Sequence, residues 1–391
     1  MSRNKSPRLR FAGFAGEWEE KKIGDVLTEV CRSISLEDDK KYQLVTVKRR
    51  NEGVVSRGYL FGKDILVKNY RQLKAGDYLI SKRQIIHGAN GLVPSELDNA
   101  IVSNEYLVAI SNDDLSTEFL ALLSRTPEMY RKFLLSSYGV DIEKMVFNVE
   151  DWKTRSINLP TKPEQTALGD FFRRLDETLA QARARLAKTQ QLKRAMLAKL
   201  FPAHGETAPK LRFQGFSGEW ERRALGEVVN VFDNLRIPVA ENARIAGSTP
   251  YFGANGIQDY VDGFTHDGEF VLIAEDGAND LQNYPVQYFN GKGWVNNHAH
   301  VLQGKPEFLN NLFLFSRFQS MDISRFLVGG GRAKLNGSTM LEIEIEFPKD
   351  KKEQTAIGNF FQKLDQTLAL QMAELEKLTR LKKALLAAML A

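Results

Sequence analysis

The chain has 391 residues, enough for two or three domains that each bury a core, and its 43% hydrophobic and 26% charged residues are ordinary for a globular protein. No apolar run reaches the roughly 18 residues of a membrane helix, and the opening MSRNKSPRLRF is basic without an apolar stretch behind it, so neither a membrane span nor a secretory signal is expected. The net charge of +5, from 54 basic and 49 acidic side chains, permits nucleic-acid binding but does not establish it.

The first phrase, PRLRFAGFAGEWEEKKIGDV from Pro7, reads as a lead-in arm, with Phe14 and Trp18 as its anchors in a core. The single cysteine, Cys31, has no internal disulfide partner and suits a reducing cytoplasm. With no catalytic pair around it, it is expected in the core. Residues 25–160 read as mixed α/β. YQLVTVKRR, GYLFGKDILV, GDYLISKRQII and NEYLVAI are strand-like, and LSTEFLALLSRTPEMYRKFLLSS is helix-like. At Glu164, EQTALGDFFRRLDETLA opens a long helix. Its first turn tolerates Pro163, and Pro202 stops it. Its apolar seam steps by three and four through Leu175, Leu179, Leu186 and Met196, interrupted by Thr189 and Lys193. PAHGETAP at 202–209 reads as a loop.

The chain then repeats itself. PKLRFQGFSGEWERRALGEV from Pro209 restates the arm, with Phe216 and Trp220 as anchors. EQTAIGNFFQKLDQTLA from Glu353 restates the helix, with the seam Leu364, Leu368, Leu375, Leu378 and Leu385. Between them, residues 229–348 do not visibly match the first intervening segment. They are richer in Gly, Asn and aromatics, with short strands, tight turns and a helix-like FLNNLFLFSRFQSMDI. Two halves of this kind are expected to fold alike about a pseudo-twofold axis. Each long helix, about 50 Å and polar on most faces, is marginal alone, so the two are expected to pair along their seams as an antiparallel coiled coil. The expected division is 1–162, first mixed α/β domain; 163–201, first long helix; 202–210, linker; 211–349, second mixed α/β domain; 350–391, second long helix.

This order of repeats resembles the specificity subunit of type I DNA restriction–modification systems, over essentially the whole chain. The phrases that carry the resemblance are GFxGEW at 13–18 and 215–220 and EQTAxGxFFxxLDxTLA at 164–180 and 353–369, with GDYLISKRQIIHGANGLVP, YFGANGIQDYV, WVNNHAHVL and GGGRAKLN between them. The resemblance implies two target-recognition domains that each read one half of a bipartite, asymmetric site on double-stranded DNA, spaced by the paired helices. It implies a non-catalytic cytoplasmic subunit that assembles with two modification subunits, which methylate adenine using S-adenosylmethionine, and two restriction subunits, which translocate and cut DNA using ATP and Mg. No cofactor is expected in this chain. No P-loop and no Asn/Asp-Pro-Pro-Tyr/Phe motif is present, and both GANG stretches read as turns. From the residues alone, the competing reading is a pseudo-dimeric coiled-coil scaffold that does not bind DNA.

Phosphates call for Lys and Arg, and base edges for Arg, Asn, Gln and Lys at strand ends and loops. In the first half the candidates are Lys48, Arg49, Arg50, Asn51, Lys82, Arg83, Gln84 and His87. In the second half they are Asn255, Gln258, Asn279, Asn296, Asn297, His298, Arg332 and Lys334. HAH at 298–300 places two histidines on one strand face but lacks a third ligand with convincing spacing, and the carboxylates of AEDGAND read as turn caps, so neither a metal nor a catalytic site is expected.

Overall fold

Each EQTA phrase begins a 39-residue helix, Lys162–Leu200 in the first copy and Lys351–Met389 in the second. A computed structural model of the chain describes residues 6–66, 69–203, 205–329 and 333–390. By its contacts the chain divides into two compact units, Met1–Gln181 with Leu375–Ala391, and Ala182–Glu374. Each long helix therefore begins in one unit and ends in the other.

Beside two-stranded pairings, the first unit holds two larger sheets among the described residues. One is five-stranded, ordered Ser33–Ile34, Tyr70–Gln72, Ile101–Ser103, Lys41–Lys48, Gly53–Phe61. The other is four-stranded, ordered Leu27–Glu29, Tyr106–Ser111, Tyr78–Ser81, Asn90–Leu92. The helix-like stretch after them is two helices, Thr117–Leu123 and Pro127–Leu135, because Pro127 cannot donate into a continuing helix and Thr126 caps the second by accepting from Met129 N. GYLFGKDILV is strand only to Phe61, and Cys31 is exposed rather than in the core. The segment closes where Glu19–Lys22 pairs antiparallel with Ser156–Leu159.

The second unit has one six-stranded sheet, ordered Val229–Val231, Ala299–Gly304, His266–Ala274, Val286–Val295, Ala246–Gly253, Gly256–Val261. The helix Asn311–Ser320 follows, capped by Asn310, and Glu221–Ala224 pairs with Glu344–Phe347 as the equivalent closing strands. The intervening segments thus differ in sheet construction but open and close alike.

What the halves share is a clamp. Arg10 forks onto Glu164, with Nε and Nη2 each 2.6 Å from a carboxylate oxygen, while Nη1 reaches Gly16 O at 2.5 Å. Arg212 repeats the fork on Glu353 at 2.6 Å and reaches Gly218 O. Both glutamates are 1% exposed. The next residues, Gln165 and Gln354, are fully buried. The Gln165 amide bonds Ser116 N, Asp114 O and Pro160 O, and that of Gln354 bonds Asn310 N, Phe308 O and Pro348 O. Phe11 packs edge-on against Phe171, and Phe213 against Phe360. Trp18 and Trp220 are buried against Phe119 and Phe313, whereas Phe14 and Phe216 are only half-buried.

The arm also holds the end of the other long helix. Leu9 N donates to Ala388 O, and Leu211 N donates to Lys199 O. Within the second unit Arg185 pairs with Glu374 and Lys193 with Asp365, so residue numbers rise along one helix as they fall along the other, and the helices run antiparallel. In the first unit Lys382 pairs with Asp176, which also accepts from Arg125 at 2.8 Å. Burial works against the Asp176 charge, but these two cations outweigh it and hold its carboxyl below the usual range. Lys193, which interrupts the first seam, and Lys382, in the second helix, are thus partners of the repeated LDxT aspartates. Leu175, Leu385 and Leu386 pack on the first core, and Met196 and Leu364 on the second. Leu179 is buried, and Leu186, Leu368, Leu375 and Leu378 are half-buried.

Removing Arg10 strands a sealed carboxylate. Arg10→Ala is expected to destabilise the first unit by about 3 kcal/mol in urea denaturation, and pairing it with Glu164→Met to recover most of that loss. An additive double variant contradicts the clamp.

Candidate nucleic-acid interface

In the first unit the chain turns sharply between Lys41–Lys48 and Gly53–Phe61. Arg50 (φ 61°) and Asn51 (φ 55°) are both left-handed, a conformation Asn tolerates better than Arg. The turn is held from outside. Arg50 N donates to His87 O at 2.6 Å, Asn51 N to Gly88 O at 2.9 Å, and Asn90 Nδ2 to Asn51 Oδ1 at 3.0 Å. Asn90 is itself fixed by the hydroxyl of Tyr78, whose complete burial pushes its pKa well up. At Gly88 (φ 75°) a Cβ would sit 3.1 Å from Asn51 N, so the close approach needs glycine.

These bonds bring two of the predicted clusters together. Arg49, Arg50, Asn51, His87 and Tyr130 line an open notch of about 370 Å³. Gln84 Oε1 accepts from Arg49 Nε at 2.8 Å. Lys48 and Arg50 are exposed, and neither has an ion-pair partner among the described residues. Lys82 and Arg83 turn to the next strand connection instead, Lys82 to Asn104 O and Arg83 to Glu105 at 2.8 Å. Glu143, unremarked in the sequence, reaches Arg49 at 3.0 Å from a hairpin far along the chain.

In the second unit the candidates gather around Glu275–Gly277. Asn255 donates to Gly277 O at 2.8 Å and accepts from Asn279 N at 2.9 Å, tying two turns together. His298 pairs with Asp276, and Lys334 with Glu275 at 2.9 Å. Asn297 and Gln258 are exposed. Asn296 is buried, and its side chain accepts from His298 N, so it shapes the turn from inside. Arg332 lies outside the described residues.

Asp233, Glu275 and His300 place three metal-type ligand atoms within 4.8 Å of one another. Cations of the protein already serve them: Arg236 lies 2.7 Å from Glu275 and 3.4 Å from Asp233, and Lys334 takes the other Glu275 oxygen. Burial works against the Glu275 charge, but Lys334 and Arg236 hold its pKa below the usual carboxylate range. His300 Nδ1 faces Asp233 Oδ2 at 2.6 Å and Nε2 faces Leu335 O at 2.9 Å. Both partners accept, so both nitrogens carry hydrogen and the ring is an imidazolium. Burial opposes that charge, but Asp233, the Leu335 carbonyl and Glu275 outweigh it and raise the pKa. Leu335 N also donates to Glu275 O, so this network fixes the segment that carries Lys334.

A raised folded pKa means that the contribution of His300 is complete below about 6.5, the ordinary histidine value, and is lost as pH rises through the folded value. The urea midpoint of the second unit should therefore fall over that range relative to His300→Gln. Parallel pH profiles for the two proteins contradict the imidazolium assignment.

Among known proteins, the type I restriction modification DNA specificity domain matches residues 15–191 and again 217–380. A Haemophilus influenzae protein named as type I restriction enzyme specificity subunit S.HindORF215P is 50% identical over 135 residues, 34% of each chain. The EcoprrI specificity subunit of Escherichia coli is 26% identical over 146 residues, 37% of this chain and 35% of that one. The matched stretches thus span about a third of the length of these relatives. The crystal structure of a type I restriction–modification S subunit from M. genitalium superposes with a TM-score of 0.69 at 16% identity, covering 99% of both chains. A structure from work on assembly and conformational transition of the type I system superposes at 0.51, with 17% identity and coverage of 95% and 97%. At these identities the two structures show a shared fold.

Proposed function

Because the chain belongs to the type I restriction–modification DNA specificity family, whose domain it carries twice, we propose that it is the DNA-reading subunit of such a complex. Each unit reads one half of a bipartite, asymmetric site in double-stranded DNA, and the two long helices set the gap. The subunit itself makes and breaks no bonds. It directs two modification subunits, which methylate adenine with S-adenosylmethionine, and two restriction subunits, which use ATP and Mg, in the cytoplasm. Among the described residues no helix is long and apolar enough to cross a membrane.

One observation carries the reading. Identical clamps frame two recognition segments of different construction, closed at the strand pairs Glu19–Lys22 with Ser156–Leu159 and Glu221–Ala224 with Glu344–Phe347. A duplicated frame around unlike inserts suits a reader of two unlike half-sites. Candidate contacts also concentrate where each insert offers cations and amides at turns, the chemistry that duplex DNA demands.

The test is a map of methylated adenines in cells that lack other methylation and express this chain with a type I modification subunit that assembles with it. A bipartite asymmetric motif is expected. Adding one heptad to both helices, between Ala180 and Gln190 and at the equivalent place after Ala369, should lengthen the gap and leave both half-sites unchanged. An assembled complex without a motif supports the scaffold reading, and a gap that ignores the heptads removes the helices as its ruler.

A further inference from the structure

In both units a short segment crosses from the helix after the sheet to the small helix before the closing strand. In the first it is the hairpin Ser137–Tyr138 with Val146–Phe147, between helices Pro127–Leu135 and Val149–Lys153. In the second an isolated bridge pairs Val328 with Lys334, between helices Asn311–Ser320 and Gly337–Leu341. Each segment delivers one partner of an ion pair to its unit's candidate cluster. The second delivers a cation, Lys334 to Glu275, and the first delivers an anion, Glu143 to Arg49.

The Glu143 carboxylate bridges two residues that line the notch. One oxygen is 3.0 Å from Arg49 Nη2, and the other is 3.2 Å from His87 Nε2. That imidazole nitrogen is sealed from water and makes no aligned hydrogen bond, so the Glu143 oxygen is its nearest polar neighbour of opposite sign. Arg49 and Glu143 are each 51% exposed. Pairs of this kind contribute at most about 1 kcal/mol to stability, so Arg49 can exchange its partner at little cost to the fold.

We propose that Glu143 is a specificity-determining residue of the first half-site, an inference that rests on the DNA-reading role of this notch. In free protein its negative charge occupies Arg49 and repels phosphate, which keeps the notch from gripping DNA indiscriminately. On the right sequence the carboxylate accepts from an exocyclic base amine, the pairing that carboxylates make with cytosine N4, and Arg49 passes to a phosphate or a guanine edge.

The experiment uses the full chain assembled with its modification subunits. Binding to a duplex that lacks the site is measured against salt, and the methylated-adenine map is repeated. Glu143→Gln is expected to tighten binding to that duplex about three- to fivefold, a change on the scale of one released surface pair, and to steepen the salt dependence, since a freed cation adds a phosphate contact. In the map, discrimination should fall about tenfold at one position of the first half-site and not at all in the second. Glu37→Gln, which removes a charge from the surface pair with Lys40 in the same unit, should do neither. Equal effects from the two variants reduce Glu143 to net charge and overturn the proposal, as does an unchanged first half-site. Arg49→Ala separates the layers. If it leaves binding and motif intact, the notch does not read DNA and the role of Glu143 falls with it, while the motif still supports the DNA-reading function of the subunit. If it weakens binding while Glu143→Gln changes nothing, only the role of Glu143 is lost.

Discussion

A guanidinium forked onto a sealed carboxylate organises this protein, once in each unit. Glu164 and Glu353 stand in the first turn of a long helix, where an anion also suits the helix dipole. An ion pair removed from water is a weak source of net stability. Its geometry is nevertheless exacting, because a planar fork meets a carboxylate in one orientation. The same arm bonds the last turn of the other long helix through Leu9 or Leu211. Each unit is therefore completed by the start of one helix and the end of the other. Neither helix can slip along its axis without breaking an arm contact in both units.

That constraint divides the molecule into parts that must stay alike and parts free to differ. The arm, the EQTA turn and the LDxT aspartates with their seam lysines recur because each is half of a contact. The segments between closing strands carry no such obligation, and one builds a five-stranded and a four-stranded sheet where the other builds a single six-stranded one. Within them, cations and amides sit at turns held by polar anchors: buried Asn90 and Tyr78 under the Arg50–Asn51 turn, and buried His300 with half-buried Asp233 under Lys334.

The repeats, the long helices, their seams and the Trp18 and Trp220 anchors were legible because they are local patterns of spacing and apolar identity. Partners distant in the chain were not. Arg10 and Arg212 are visible as repeated letters, as are Glu164 and Glu353, but nothing in spacing joins one pair to the other. Glu143 is one acid in a solvated stretch until the fold sets it against Arg49. Asn296 reads as a free amide until its turn buries it. The break at Thr126 was written in its Pro127 neighbour, which the apolar periodicity of the surrounding stretch obscured.

If the clamps form an interchangeable frame, the recognition segments are its cargo. The most direct measurement replaces residues 221–347 with a second copy of 19–159, joined at the equivalent closing strands, and maps methylated adenines in the assembled complex. The account predicts an inverted repeat of the first half-site with the original gap. The original asymmetric motif, or none from a folded and assembled complex, would contradict it.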